Sequence, residues 1–150
     1  MRLGSPAPDE EVDERLHRAV SAGDLQGLEG LLASGAPVNV VDHVGRTPLH
    51  IAAAKNRMDL IKRLIVAGAD VDAQASGEGW QDDTPLGQVV GNCTFEVAEL
   101  LVGLGADPRA QGWMGNTPFD RVRERGGPDG KRIETLFLKE LARGNKRGDA

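Results

Sequence analysis

The sequence predicts an all-α solenoid of four repeats, and three observations carry the prediction. Thr-Pro pairs followed by Leu or Phe begin at Thr47, Thr84 and Thr117, spaced by 37 and then 33 residues. Gly-Ala pairs begin at Gly35, Gly68 and Gly105, spaced by 33 and then 37. Apolar stripes at helical spacing, such as Leu60, Ile61, Leu64 and Ile65, stand between the two landmarks. Two independent markers that keep one period mean a repeat architecture.

The stretch GRTPLHIAAAKNR at 45 to 57 explains the first marker. Thr47 is a good N-cap, because its hydroxyl accepts a hydrogen bond from a free N–H of the first helical turn. Pro48 then takes the first helical position, where its missing N–H costs nothing. His50 falls at the third position, within reach of Thr47, so the two side chains brace the helix start. Thr84-Pro85 and Thr117-Pro118 repeat this clamp, with Gly87 and Asp120 in place of the His.

Residues 45 to 73, GRTPLHIAAAKNRMDLIKRLIVAGADVDA, resemble the ankyrin-repeat family almost throughout, and the resemblance spans roughly residues 12 to 142. It implies four repeats, each a finger followed by two antiparallel helices, with the first helices lining a concave face. It also implies recognition of a protein partner without catalysis.

Residues 1–11 are acidic and Pro-containing and read as a flexible leader. Repeat one, about 12–42, is in register because Leu16 stands 33 residues before Leu49. Glu14 and Arg15 replace the clamp, as suits an N-terminal capping repeat with a polar outer face. Its helices are expected at about 12–22 and 25–33. Repeat two, about 43–75, has small Ala52 and Ala53 where helices must approach closely, and Asn56 where a left-handed turn is needed.

Repeat three, about 76–112, keeps the stripe Val97, Leu100, Leu101 and Leu104. Gly87 should leave its first helix start looser, and Cys93 at the inter-helix turn should distort that turn. Four extra residues within ASGEGWQDD lengthen its finger. Repeat four, about 113–142, has a GGPDG connection about two residues longer than usual. The helix after it, KRIETLFLKELAR, sets Ile133, Leu136, Phe137 and Leu141 among Lys131, Arg132, Lys139 and Arg143, the pattern of a C-terminal cap. Residues 143–150 are expected to be disordered.

With five aromatic residues in 150, the core must come from Ala, Leu, Val and Ile, which suits close-packed short helices. The net charge of −5 argues against general nucleic-acid binding. It is uneven: residues 1–120 carry 9 basic and 18 acidic side chains, and 121–150 carry 9 and 5, giving an acidic body and a basic end. A single Cys excludes an internal disulfide, and no apolar run reaches membrane-spanning length. The expectation is a cytoplasmic protein, monomeric when free and not membrane-bound.

No catalytic constellation emerges, and no cofactor or metal is expected. His50 belongs to the clamp. Cys93 has no His or carboxylate at a telling spacing, and the His and Cys residues form no zinc pattern. GGPDGKR at 126 to 132 resembles a phosphate loop only superficially, since Arg125 and Arg132 occupy the positions of its first Gly and its Ser/Thr. Arg-Gly-Asp at 147–149 matches a short adhesion motif that a cytoplasmic tail cannot present. Glu78, Asp82 and Asp83 in the long finger invite an ion, but three carboxylates on a loop are more often simply solvated.

The positions that the fold does not need are the informative ones. Finger tips four residues before each clamp Thr hold His43, Trp80 and Trp113, flanked by Arg46 and Met114. Exposed Trp is favoured as an interface anchor, although each ring could instead lie flat and shield a loop. Along the first helices, Ile51, Lys55, Gln88, Asn92, Arg121 and Arg125 line the face that the resemblance makes concave. Ile51, an aliphatic side chain where solvent is expected, reads with the Trp tips as the apolar centre of a patch rimmed by charge.

The leading reading is an adaptor or a stoichiometric inhibitor, of immunity type, that binds one protein. Self-association through Ile51 and the Trp tips is the alternative. A metal- or small-molecule-binding enzyme, built on the 78–83 carboxylates and Cys93, is a less favoured third.

Overall fold

A computed structural model describes residues 8–75 and 83–148, with backbone alone at 8–11, 113 and 145–148. Eight α-helices occupy the described residues, in pairs: α1 (Pro8–Ala22) and α2 (Leu25–Ala33), α3 (Pro48–Ala54) and α4 (Met58–Val66), α5 (Pro85–Val89) and α6 (Phe95–Gly103), α7 (Pro118–Arg125) and α8 (Gly127–Gly148). The first helices stack as one row, α1 on α3 on α5 on α7, and the second helices as another, α2 on α4 on α6 on α8.

The core lies between these rows. Leu16 and Val20, then Leu49, Ala52 and Ala53, then Leu86 and Val90 face Leu28, Leu60, Ile61 and Leu64, and Val97, Ala98 and Leu101. All belong to one apolar cluster, closed at the last repeat by Val122, Ile133 and Phe137. Each repeat alone would leave its stripe in water, so stability resides in stacking.

The helix starts follow from their caps. Thr47, Thr84 and Thr117 each accept a hydrogen bond from the third helical residue, with Pro following in each case. The Thr47 N–H donates to His50 Nδ1 at 3.2 Å, and the Thr47 hydroxyl lies 2.8 Å from the same nitrogen. The other ring nitrogen, Nε2, lies 2.7 Å from the carbonyl oxygen of Asp83, one repeat further on. A neutral ring with its proton on Nε2 satisfies all three contacts. His17, 33 residues before His50, also reaches the next repeat, with Nε2 3.1 Å from the Arg46 carbonyl oxygen, but its Nδ1 faces the Asp13 carbonyl oxygen at 2.8 Å instead of a Thr brace. The imidazoles are thus rungs between successive repeats.

Three expectations about the boundaries need correction. α1 begins at Pro8, inside the stretch read as leader, because Pro is well suited to a first helical position. The GGPDG segment is no long connection. Gly126 (φ 64°) is the only residue between α7 and α8, and Pro128 and Asp129 sit in the first turn of α8, where neither disrupts it. α8 continues to Gly148 through most of the segment expected to be disordered. The turn at Cys93 differs from the others, as its sequence implied: the position between paired helices is left-handed at Gly23, Asn56 and Gly126 but not at Cys93, whose N–H instead bonds the Val89 carbonyl at 2.8 Å. α5 is correspondingly short, five residues.

His50 is fully buried, and that burial pushes its pKa below the usual histidine value, against the opposing pull of the Asp83 carbonyl. The unfolded chain therefore takes up a proton that the folded chain resists, and stability falls as pH drops below about 6.5. Melting followed between pH 7 and 5 should show a steeper decline for the wild type than for His50→Gln. Parallel declines would mean that His50 is not held neutral.

Candidate functional site

The residues expected on a contact surface separate into three groups. The first belongs to the stacking of the repeats. Arg121 reaches back one repeat: its guanidinium lies 2.9 and 3.0 Å from the two carboxylate oxygens of Asp83 and donates to the Gly87 carbonyl at 2.7 Å. Arg125 donates to the Val90 carbonyl at 3.1 Å. Neither is a spare side chain. Arg57, one turn of chain from the surface row, makes the equivalent bond to Gly23 at 3.3 Å.

Gly87 stands beside this ion pair. A Cβ at residue 87 would stand 3.3 Å from Thr84 Oγ1 and 3.5 Å from Asp83 Oδ1. The Asp83 carboxylate, paired with Arg121, thus lies at ordinary contact distance from that position. Asp83 is accordingly committed to an ion pair, while Glu78 and Asp82, its expected companions, lie outside the described residues. No group of three potential metal ligands occurs among the described residues. Cys93 is buried, and burial pushes its thiol pKa up although Arg125 opposes this. A thiol so placed is a small apolar side chain.

The second group corrects the apolar centre. Ile51 is 6% exposed and reaches the surface only at the floor of a groove. It packs with the core because its neighbours on α3, Leu49, Ala52 and Ala53, draw that helix inward on most of its circumference.

The third group remains available. His43, Lys55 and Asn92 are exposed, and their side chains have no hydrogen bond or ion pair among the described residues. Gln88 Oε1 is buried and meets no donor among the described residues. Met114 is 77% exposed at a finger tip, in a left-handed conformation (φ 58°) that a long side chain adopts only at a cost. Trp113 opens the short 3-10 turn Trp113–Gly115, with its side chain outside the described residues, and Trp80 lies outside them altogether.

The finger at 41–46 is a rigid loop. Asp42 Oδ1 accepts from the N–H groups of Val44 and Arg46 at 3.0 and 2.9 Å, and Arg46 Nε donates to Oδ2 at 3.0 Å. Burial works against ionisation of Asp42, yet these bonds hold its carboxyl below the usual value. The finger faces α1 across an open groove of about 790 Å³, walled by Asp13, Glu14, His17 and Arg18 on one side and Val41 and His43 on the other. Sequence reasoning missed this groove and the His17 rung, because Glu14 and Arg15 had displaced the clamp. The 33-residue spacing between His17 and His50 was the available signal.

No helix among the described residues is long and apolar enough to cross a membrane. The family model that matches is that of ankyrin repeats, in three copies, over residues 16–112. Similar curated proteins include the mouse ankyrin repeat and SOCS box protein 9, 31% identical over 119 residues, which cover 79% of this chain and 39% of that protein. The mouse ankyrin repeat and SAM domain-containing protein 6 is 34% identical over 134 residues, covering 87% of this chain and 15% of that protein. The mouse nuclear factor NF-kappa-B p105 subunit is 32% identical over 123 residues, 81% of this chain and 12% of its own. The chain thus spans less than half the length of each.

Removing Arg121 leaves a nearly buried Asp83 carboxylate without its cation. Arg121→Ala should cost about 2 kcal/mol in urea unfolding, below the full figure for a buried pair because the guanidinium is partly exposed. A double-mutant cycle with Asp83→Ala should recover much of this as coupling. Additive effects would contradict the pairing.

Proposed function

The chain belongs to the ankyrin-repeat family, whose repeats are generally protein–protein interaction modules, and on that premise we propose that it is a non-catalytic recognition module for one protein partner. Its contact surface runs from the finger tips across the row of first helices. Within that reading it acts as an adaptor or as a stoichiometric inhibitor, working in the cytoplasm.

One observation carries the reading. The inner row keeps polar side chains that the fold does not use: His43, Lys55 and Asn92 are exposed without partners among the described residues, and Gln88 presents an oxygen that is shielded yet unbonded. A buried acceptor without a donor costs about 1–3 kcal/mol, and a partner that supplies the donor recovers that cost on binding. Arg121 and Arg125, tied to the preceding repeat, act as supports of this surface rather than as contacts. Met114 and the two Trp tips supply the apolar anchors.

The test is affinity capture from native lysate, with the Trp80→Ala/Trp113→Ala double variant as control. The partner should be retained by the wild type and lost by the variant. Each single change should weaken binding by about 2 kcal/mol or more, the hot-spot scale, which is roughly thirtyfold in Kd. Melting should hardly change, because the core lies between helices. A partner held equally by the double variant, or variants that lose stability and keep binding, would overturn the finger-tip assignment.

A further inference from the structure

The groove between α1 and the 41–46 finger has an ordered chemistry that points to the kind of segment it takes. Along the α1 wall stand Asp13 and Glu14, and one turn later Arg18. None of the three side chains has an ion-pair partner among the described residues, whereas Asp42 and Arg46 on the finger wall are bound to each other at 2.9 Å. His17 is engaged by two carbonyl oxygens, of Asp13 at 2.8 Å and of Arg46 at 3.1 Å. The α1 wall therefore runs from acidic to basic. The opposing wall sets Val41, half exposed, beside His43 and the mutually bound Asp42–Arg46 pair, and Ile51 adds a second apolar residue to the lining.

We propose that this groove binds an extended segment of a protein partner with the order basic, aliphatic, acidic; the proposal rests on the recognition reading above. The spacing supports it. Residues four to five apart on α1 are separated by about 6–7.5 Å along the helix axis. Residues two apart on an extended peptide are separated by about 6.8 Å, and they point to the same side. A basic and an acidic residue two positions apart therefore meet Asp13/Glu14 and Arg18 together. The residue between them points to the other wall, where Val41 and Ile51 offer apolar contact. The volume of about 790 Å³ lies within the range of small-ligand and peptide sites. The opposite order sets like charges against each other at both ends, so the groove discriminates by repulsion as well as by attraction.

The probes are two fluorescein-labelled nonapeptides, Gly-Ser-Gly flanking either Arg-Leu-Glu or Glu-Leu-Arg, read by fluorescence anisotropy against the full chain at moderate salt. The wild type should bind the Arg-Leu-Glu peptide at least tenfold more tightly than its reverse. The exchange Glu14→Arg/Arg18→Glu should reverse that preference, and Val41→Asp should weaken the favoured peptide in either background. Both exchanged residues are exposed on α1, and unchanged circular dichroism and melting certify the fold. Equal binding of the two peptides, no binding of either, or a preference that survives the exchange overturns the groove proposal. If the lysate partner is still captured through Trp80 and Trp113, the recognition reading stands while this inference falls. If that partner is lost too, both fall.

Discussion

A repeat of two short helices cannot bury its own apolar face, so everything here depends on how one repeat is registered against the next. Apolar contact between Ala, Leu and Val surfaces gives attraction with little direction. Direction comes from the buried imidazole of His50, which braces the helix start of its own repeat through Thr47 and reaches the Asp83 backbone of the following one. Because the ring is fully buried, an unmade bond at either nitrogen would leave a desolvated polar atom, and the competing registers all incur that cost. His17 makes a reach to the Arg46 carbonyl, so an imidazole spans each of the first two junctions, although the second His17 nitrogen faces the Asp13 carbonyl and not a Thr brace.

The third junction uses another chemistry. Gly87 cannot provide a rung, and the link runs in the opposite direction, from the Arg121 guanidinium to the Asp83 carboxylate and the Gly87 carbonyl. The same Asp83 thus serves both junctions, its carbonyl toward repeat two and its carboxylate toward repeat four. This joins local structure to function. Residues drawn into the junctions are withdrawn from the surface, and those left over, His43, Lys55, Gln88 and Asn92, are the ones that the proposed function assigns to a partner. The 41–46 finger, with its Asp42–Arg46 pair, and the α1 wall then frame a groove in which Asp13, Glu14 and Arg18 have no ion-pair partner among the described residues.

Much of this organisation was legible in the sequence. The period located all four repeats, and the Thr-Pro clamps placed the starts of α3, α5 and α7. The bounds of α2 were also readable, because Gly23-Asp24 and Gly35 punctuate it on both sides. What misled were particular surface positions read as spare, while His43, Lys55 and Asn92 are exposed as expected. Arg121 and Arg125 stand at positions where family resemblance expects solvent, but their length lets them bond a carbonyl 34 and 35 residues back. The pairing of an absent His at 87 with an acidic Asp83 beside it was the clue, and it needs three dimensions to be recognised. Ile51 failed for a simpler reason: on a helix of only seven residues, four of them core-facing, an aliphatic side chain is drawn in with its neighbours. The Gly-rich segment at 126–130 misled because Pro and Gly are tolerated in a first turn, where no backbone donor is required.

The central claim is that a neutral His50, protonated on Nε2, bonds across the junction. Nitrogen-15 spectra of the imidazoles in the full chain test it most directly. The account predicts that at neutral pH His50 carries its proton on Nε2, that this proton exchanges slowly with solvent, and that it shows scalar coupling through the hydrogen bond to the Asp83 carbonyl carbon. A proton on Nδ1, or a ring that exchanges as freely as an exposed histidine, would contradict it.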